Sequence, residues 1–227
     1  MIDPVVPSVG WGVLHLFFKA PASADREAIA AAVKSCQSDA HQVIPFAVLG
    51  HKADVGFMAL GPDLARLQRL QADLVAAGLE LTWSFVSLTE LSEYAQGLPA
   101  EMAEARLHPQ LPPEGKRAMC FYPMSKRRNV GQNWYELPYD ERKELMYGHG
   151  AKGREFAGRI LQVITGSTGL DDWEWGVTLF AQDPVALKQC VYEMRFDKGS
   201  AVYAEFGPFV TGLVGSVDEV LGSVAIG

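Results

Sequence analysis

The 227-residue chain has no excess of positive charge: 20 Lys and Arg stand against 27 Asp and Glu, a formal net charge of −7. Such a balance does not suit tracking along a polyanion or docking on an anionic membrane, so neither a nucleic acid nor a membrane is expected as a partner. Cysteine is scarce. Cys36, Cys120 and Cys190 lie far apart and in no CxxC pattern, which argues against a disulfide scaffold and against a zinc site. No apolar run approaches the ~18 residues of a membrane span. The opening residues MIDPVVPSVGWG lack a basic segment followed by an apolar one, so no secretory leader is expected. Glycine-rich phosphate loops and the GxSxG nucleophile elbow are also missing. A cytoplasmic protein with reduced thiols is the expectation.

What is present suits a globular protein. Hydrophobic residues make up 48% and charged residues 21%, with a mean hydropathy of +0.04, enough apolar material for a sizeable core. The charge is uneven: residues 1–114 hold 7 Lys/Arg and 13 Asp/Glu, whereas residues 115–227 hold 13 and 14. An anionic small ligand is therefore more at home in the second part.

Apolar spacing predicts two similar halves. In the first, Trp11–Lys19, Val43–Leu49, Val55–Leu60 and Leu79–Val86 read as strands, and Asp25–Cys36 and Pro62–Ala77 as helices, with Asp63 a cap. In the second, Ala118–Pro123, Phe156–Thr165, Trp173–Phe180 and Ala204–Thr211 read as strands. Pro138–His149, Asp183–Met194 and Val217–Val224 read as helices. Residues 54–67 can be laid over 174–187 at an offset of 120, placing Gly56 on Gly176, Asp63 on Asp183 and Leu67 on Leu187. The expected fold is α+β: two fused ferredoxin-like modules of the dimeric α+β barrel type, with antiparallel sheets and flanking helices. The modules would span 1–90 and 118–227, with 91–117 as a connector holding a short helix near Leu98–Leu107.

Among the histidines, His15, His41 and His51 read as structural or solvated. His149 stands in Tyr147-Gly-His-Gly-Ala-Lys-Gly-Arg, at the expected end of a helix and between glycines. Two readings are open: an imidazole favoured by the helix dipole, or one left open to bind a metal or a haem iron. No His or Cys nearby completes a zinc set, which favours a single axial ligand to a cofactor that brings its other ligands. Pro123 is expected to end its strand, so that side chains after Tyr122 emerge at the sheet's edge. Lys126, Arg127 and Arg128 follow at once, and Lys152, Arg154, Arg159, Arg195 and Lys198 share that half. Such groups suit carboxylates or phosphates. The glycines of Gly166-Ser-Thr-Gly-Leu-Asp-Asp fit a hairpin turn.

Several stretches of the second half together resemble one family. These are Phe121-Tyr-Pro-Met-Ser-Lys-Arg-Arg, Asn133-Trp-Tyr, Glu141-Arg-Lys-Glu-Leu-Met, His149-Gly, Gly153-Arg, Thr165-Gly-Ser-Thr-Gly-Leu-Asp-Asp-Trp-Glu-Trp-Gly-Val-Thr-Leu-Phe, Met194-Arg-Phe-Asp and Tyr203-Ala-Glu-Phe-Gly-Pro-Phe. They are similar to the coproheme decarboxylases, the haem-synthesising branch of the chlorite dismutase family, densely over residues 104–212. The resemblance implies a pentamer of fused ferredoxin-like modules. It implies removal of two propionates from iron coproporphyrin III (coproheme) as CO2, giving haem b with hydrogen peroxide as oxidant. A ferrochelatase would supply the coproheme through a transient contact.

By motif match, His149 would be the proximal iron ligand and Tyr122 the side chain oxidised to a radical beside a reactive propionate. Lys126 would hold or help protonate around that propionate. Met124 and Trp134 would line the pocket, and Arg154, Arg195 and Ser200 would bind propionates. On the distal side Gln162 falls where one branch has a Gln and chlorite-degrading members have an Arg. His108, with Arg106 beside it, resembles a distal histidine of another branch and is expected to take a proton from bound peroxide. A chlorite-degrading haem enzyme and a non-catalytic haem-binding or transfer module are the alternatives.

Overall fold

The computed structural model describes residues 2–224 apart from 39 and 96. The first half runs β1 (Gly12–Lys19), α1 (Arg26–Cys36), β2 (Gln42–Leu49), β3 (Val55–Gly61), α2 (Leu64–Ala76) and β4 (Glu80–Thr89). A connector with α3 (Ala100–Leu107) leads to β5 (Ala118–Lys126), the small hairpin β6 (Arg128–Asn129) and β7 (Gln132–Asn133), and one 3-10 turn, Trp134–Glu136. Then come α4 (Tyr139–Arg154), β8 (Ile160–Gly166), β9 (Trp175–Ala181), α5 (Pro184–Met194), α6 (Lys198–Ala201), β10 (Ala204–Phe206), β11 (Val210–Val214) and α7 (Val217–Ser223). Among the described residues no helix is long and apolar enough to cross a membrane.

Apart from the β6–β7 hairpin, the strands form one antiparallel sheet in the order β10-β5-β11-β2-β3-β1-β4-β8-β9. Because β9 also pairs with β5, from Ala118↔Ala181 to Met124↔Trp175, the sheet closes into a barrel. The halves meet where β11 pairs with β2 and where Leu88 and Thr89 of β4 pair with Gly166 and Thr165 of β8. Alternation along each strand sends one set of side chains inward. Val13, Phe17, Ile44, Met58 and Phe85 of the first half thus fill the interior with Met119, Phe121, Val163 and Phe180 of the second. His15 is fully buried there, its Nε2 2.9 Å from Thr178 Oγ1 and its ring stacked on Phe121, and burial lowers its pKa to about 3.

Helices cover the outer faces. α1 buries Ile29, Val33 and Cys36, and α2 buries Leu67, Leu70 and Leu74, both against Leu14, Leu16 and Phe57. α5 buries Ala186, Leu187 and Cys190 over β5 and β9. The repeat is visible at matched positions. Asp63 caps α2 by accepting from the Ala65 N–H at 3.0 Å, and Asp183 caps α5 by accepting from Val185 at 2.9 Å. Gly56 and Gly176 each make room for a ring: a Cβ would stand 2.3 Å from Phe46 at the first and 2.7 Å from Phe85 at the second.

Three expectations are corrected. First, β5 does not stop at Pro123. β10 takes Met124–Lys126 and β11 takes Ala118–Phe121 on one side of β5, leaving a gap at 122–123. The Pro123 carbonyl accepts from the Gly207 N–H at 2.9 Å across this gap, so its missing N–H falls where there is no ladder. Second, α4 runs through Gly148, Gly150 and Gly153 to Arg154, so His149 is inside the helix rather than at its end. Glycine lowers helix propensity by about 1 kcal/mol but does not forbid the geometry, and α4 packs on α5 and α6. Third, the last expected strand is two, split around Gly207 and Pro208, where a Cβ at Gly207 would strike Pro123 and Trp173. Phe156 lies in the turns before β8, and α6 and the β6–β7 hairpin were not anticipated.

Candidate active site

Strand β5 carries three candidates on one face. Tyr122, Met124 and Lys126 alternate along it and therefore project to the same side. The register extends this face across two more strands. Tyr122 lies opposite Val177, which lies opposite Ile164, and Cys120 lies opposite Leu179, which lies opposite Gln162. Gln162 is thus exposed on the Tyr122 face, one step further along the sheet.

Tyr122 is buried, its ring stacked on Phe209 at 4.4 Å and edge-on to Phe206 at 5.8 Å. Burial raises the phenol's pKa, so it keeps its proton at neutral pH. Lys126 is 9% exposed. Its ammonium donates to the Gly199 carbonyl at 2.9 Å and sits 4.0 Å from the centroid of the buried Trp134 ring. Burial pulls the Lys126 pKa down to about 8, partly offset by the charges of Asp197 and Glu174.

Gly199 belongs to α6, and Asp197 caps that helix by accepting from the Ser200 N–H at 3.0 Å. The same oxygen of Asp197 lies 3.0 Å from His149 Nδ1. A carboxylate only accepts, so Nδ1 carries a proton, and in the neutral imidazole Nε2 is then the nitrogen with the lone pair. Nε2 makes no hydrogen bond among the described residues, and the imidazole is part exposed. Gly148 beside it leaves open space where a Cβ would stand. The Ser200 hydroxyl stands 3.3 Å from both His149 Nδ1 and Asp197 Oδ2, within this pair.

The remaining cations sit around this centre. Arg154 ends α4 and Arg195 follows α5, both exposed. A Cβ at Gly153 would stand 3.6 Å from Met194 Cε, so these two helix ends meet. Arg195 lies over the exposed Tyr192 ring at 4.3 Å. His108 and Arg106 are elsewhere. Arg106 is exposed on the last turn of α3, and His108 ends that helix with Nδ1 2.6 Å from Glu104. The His108 ring packs on Trp11, at the rim of the barrel interior. Among the described residues His108 makes no hydrogen bond, ion pair or ring contact with Tyr122, Lys126 or His149.

Sequence reasoning missed three residues of the centre. Asp197 orients His149, and its signal was an Asp followed three residues later by a Ser, the spacing of a helix cap. Phe209 stacks on Tyr122, with no sequence signal beyond being aromatic. Glu174 is 5% exposed, its Oε2 accepting from the Lys126 backbone N–H at 2.8 Å. A carboxylate between two tryptophans was the hint, since a buried charge needs partners.

Together these groups form an apolar face bearing an oxidisable phenol, a buried ammonium and, across α6, an imidazole with one nitrogen free. Among the described residues no cluster of three or more His, Cys, Asp and Glu could hold a metal ion. An iron here would need ligands besides His149, as a porphyrin supplies.

Known proteins share this sequence and fold. The chlorite dismutase family profile matches residues 23–215. A coproheme decarboxylase of Staphylococcus carnosus is 48% identical over 177 residues, 74% of this chain and 70% of the relative. A coproheme decarboxylase of Thermus thermophilus is 49% identical over 173 residues, 74% and 69% of the two chains. A solved structure described as a novel heme-binding protein from Thermus thermophilus superposes with a TM-score of 0.84 at 39% identity, covering 98% of each chain. A mutant chlorite dismutase of Candidatus Nitrospira defluvii shares the fold, with a TM-score of 0.76 at 19% identity over 96% and 97%.

Proposed function

The chain belongs to the chlorite dismutase family, and from that premise we propose that it is a coproheme decarboxylase. It converts two propionates of iron coproporphyrin III to vinyl groups, with hydrogen peroxide as oxidant, and yields haem b and CO2. Coproheme is both substrate and redox cofactor. The observation that carries this reading is one short helix. α6 links the His149 imidazole, through Asp197, to the Lys126 ammonium, through Gly199, and Lys126 shares a strand face with Tyr122.

The balance of each step sets what the residues must do. A propionate becoming a vinyl loses CO2, two electrons and one proton, the hydrogen coming from the methylene beside the ring. Peroxide takes up the two electrons and leaves as two waters, with net uptake of one proton. Bound iron porphyrin with peroxide supplies the oxidising power. Tyr122, buried and protonated, is the side chain oxidised to a radical that removes the methylene hydrogen. Lys126 holds that propionate and can supply the proton. Asp197 holds the His149 Nδ1–H, leaving Nε2 as the nitrogen that would hold the iron. Met124 and Trp134 line the pocket, and Arg154 and Arg195 anchor the other carboxylates, fixing which propionate meets Tyr122. Ser200, proposed at a propionate, also has its hydroxyl within the His149–Asp197 pair, where it helps hold the ring.

For the distal side the register favours Gln162, which shares the Tyr122 face, over His108 on Trp11. Arg106 goes with His108. The reading extends to a homopentamer, a cytoplasmic location and a transient contact with the ferrochelatase that supplies coproheme, all by resemblance.

The test is a peroxide titration of the ferric coproheme complex, with the two successive decarboxylation products followed by mass. Wild type should lose two CO2. Tyr122→Phe should bind coproheme and lose none, and a normal haem b yield from it sinks the radical assignment. Gln162→Leu should slow the reaction while His108→Phe does not; the reverse order returns the distal role to His108. Oxygen release from chlorite, or binding with no product, would replace the reading with one of its alternatives.

A further inference from the structure

Glu174 precedes β9 and has no part in the chemistry above, yet its carboxylate is buried and fully engaged. One oxygen accepts from the Lys126 backbone N–H at 2.8 Å. The other takes the guanidinium of Arg128, which is otherwise exposed. Burial, and then the nearby Glu174 charge, raise the pKa of the Tyr135 phenol, and Arg128 lies 5.1 Å from the Tyr135 ring centroid, so the guanidinium held by Glu174 also packs on Tyr135. The Glu174 backbone is fixed too, its N–H donating to Ser125 Oγ at 3.1 Å and its carbonyl accepting from Ser167 at 2.8 Å.

Arg128 and Tyr135 mark the two ends of one segment. Between them lie the β6–β7 hairpin, with a fully exposed Val130 at its tip, and Trp134, whose ring covers the Lys126 ammonium. That segment has few other anchors: the Trp134 N–H donates to the Arg127 carbonyl, the Arg127 guanidinium donates to Gln132 Oε1 at 3.4 Å, and Trp134 meets Tyr203 edge-on. One carboxylate therefore holds both the strand that carries Lys126 and the flap that covers it.

We propose that Glu174 is a positioning residue that latches the 128–136 flap over Lys126 and so fixes where the ammonium meets the substrate propionate. This rests on the decarboxylase reading for its consequence, but the latch itself is testable without substrate. Hydrogen exchange of the full-length protein is compared for wild type, Glu174→Gln and Tyr135→Phe. In Glu174→Gln, peptides covering 127–136 should exchange about tenfold faster while peptides from α2 and β3 do not change. Tyr135→Phe should show a smaller increase. With coproheme bound, Glu174→Gln should lower kcat for CO2 release about tenfold or more, with a smaller change in coproheme affinity. Glu174→Asp should recover part of the loss.

Unchanged exchange in 127–136 overturns the latch. Faster exchange with an unchanged kcat overturns the positioning role. Faster exchange across the whole molecule shows that Glu174 only supports folding and overturns both. If wild type itself releases no CO2 the decarboxylase reading fails, and the exchange result still decides the latch.

Discussion

Lys126 carries a charge in a place that resists one. Its ammonium has a carbonyl, an indole face and two nearby carboxylates in place of water. These partners do not fully replace hydration, so its pKa falls from 10.5 to about 8. At neutral pH the group is still protonated, which suits holding a carboxylate and giving up a proton. The same shift has a signature in stability. Between about pH 8 and 10.5 the unfolded chain binds a proton at this site that the folded chain has released. Stability from this group therefore rises with pH across that window, by about 3 kcal/mol for a shift of this size. Below pH 8 the penalty is present in full. Lys126→Met removes the titrating group, so wild type should gain stability relative to the variant as pH is raised from 7.5 to 10. Paired denaturant titrations at each pH measure this. Parallel curves for the two proteins would show that Lys126 is not desolvated in solution. Shifts on tyrosines or cysteines are common to both chains and cancel in the comparison.

Helix α4 shows what an element can hide from a sequence reader. Gly148, Gly150 and Gly153 within seven residues read as a stop, yet the helix continues to Arg154. Each glycine weakens the helix, and at Gly148 nothing stands within 4 Å of where a Cβ would go. Gly148→Ala should therefore stabilise the substrate-free protein by about 1 kcal/mol, read from the denaturation midpoint. It should also weaken coproheme binding in a fluorescence-quenching titration, if the bare backbone beside His149 is where the porphyrin lies. An alanine that stabilises and leaves affinity intact would mean these glycines are not kept for the ligand. Much else was legible. The cap Asp63, its match Asp183 in the repeat at an offset of 120, and the order of the main strands and helices follow from spacing and local chemistry. What was not legible depends on partners distant in sequence. The ladder gap that tolerates Pro123 exists only because β10 and β11 stop on either side of it. The placing of His108 on Trp11 joins the connector to the residue before β1, far away in sequence, and no local pattern announces it.

At the scale of the whole molecule the two halves repeat in order but do not stand alone. Few rungs join β4 to β8, and β11 meets β2 over four residue pairs. What unites the halves is the barrel interior, and Phe121 is its centre. This ring comes from β5 of the second half, and the aromatic rings around it come from the first. His15 stacks on it at 4.0 Å, Phe85 lies at 5.4 Å, and Phe17 and Trp83 at 5.7 Å. The β5 backbone fixes both sides of the sheet at once. Phe121 points inward to that cluster, while Tyr122, the next residue, points outward to the candidate active site. Phe121→Ala should leave a cavity the rigid barrel cannot close and cost about 3–5 kcal/mol. Because the lost contacts cross between halves, neither should unfold first. Urea unfolding followed by far-UV circular dichroism and by tryptophan fluorescence should give one coincident transition, in wild type and variant alike. Trp11 and Trp83 report the first half, and Trp134, Trp173 and Trp175 the second. Two separated transitions would mean that the repeat units are independent domains. A single transition at a lower midpoint would mean that the fold positions Tyr122 through a core shared by both halves.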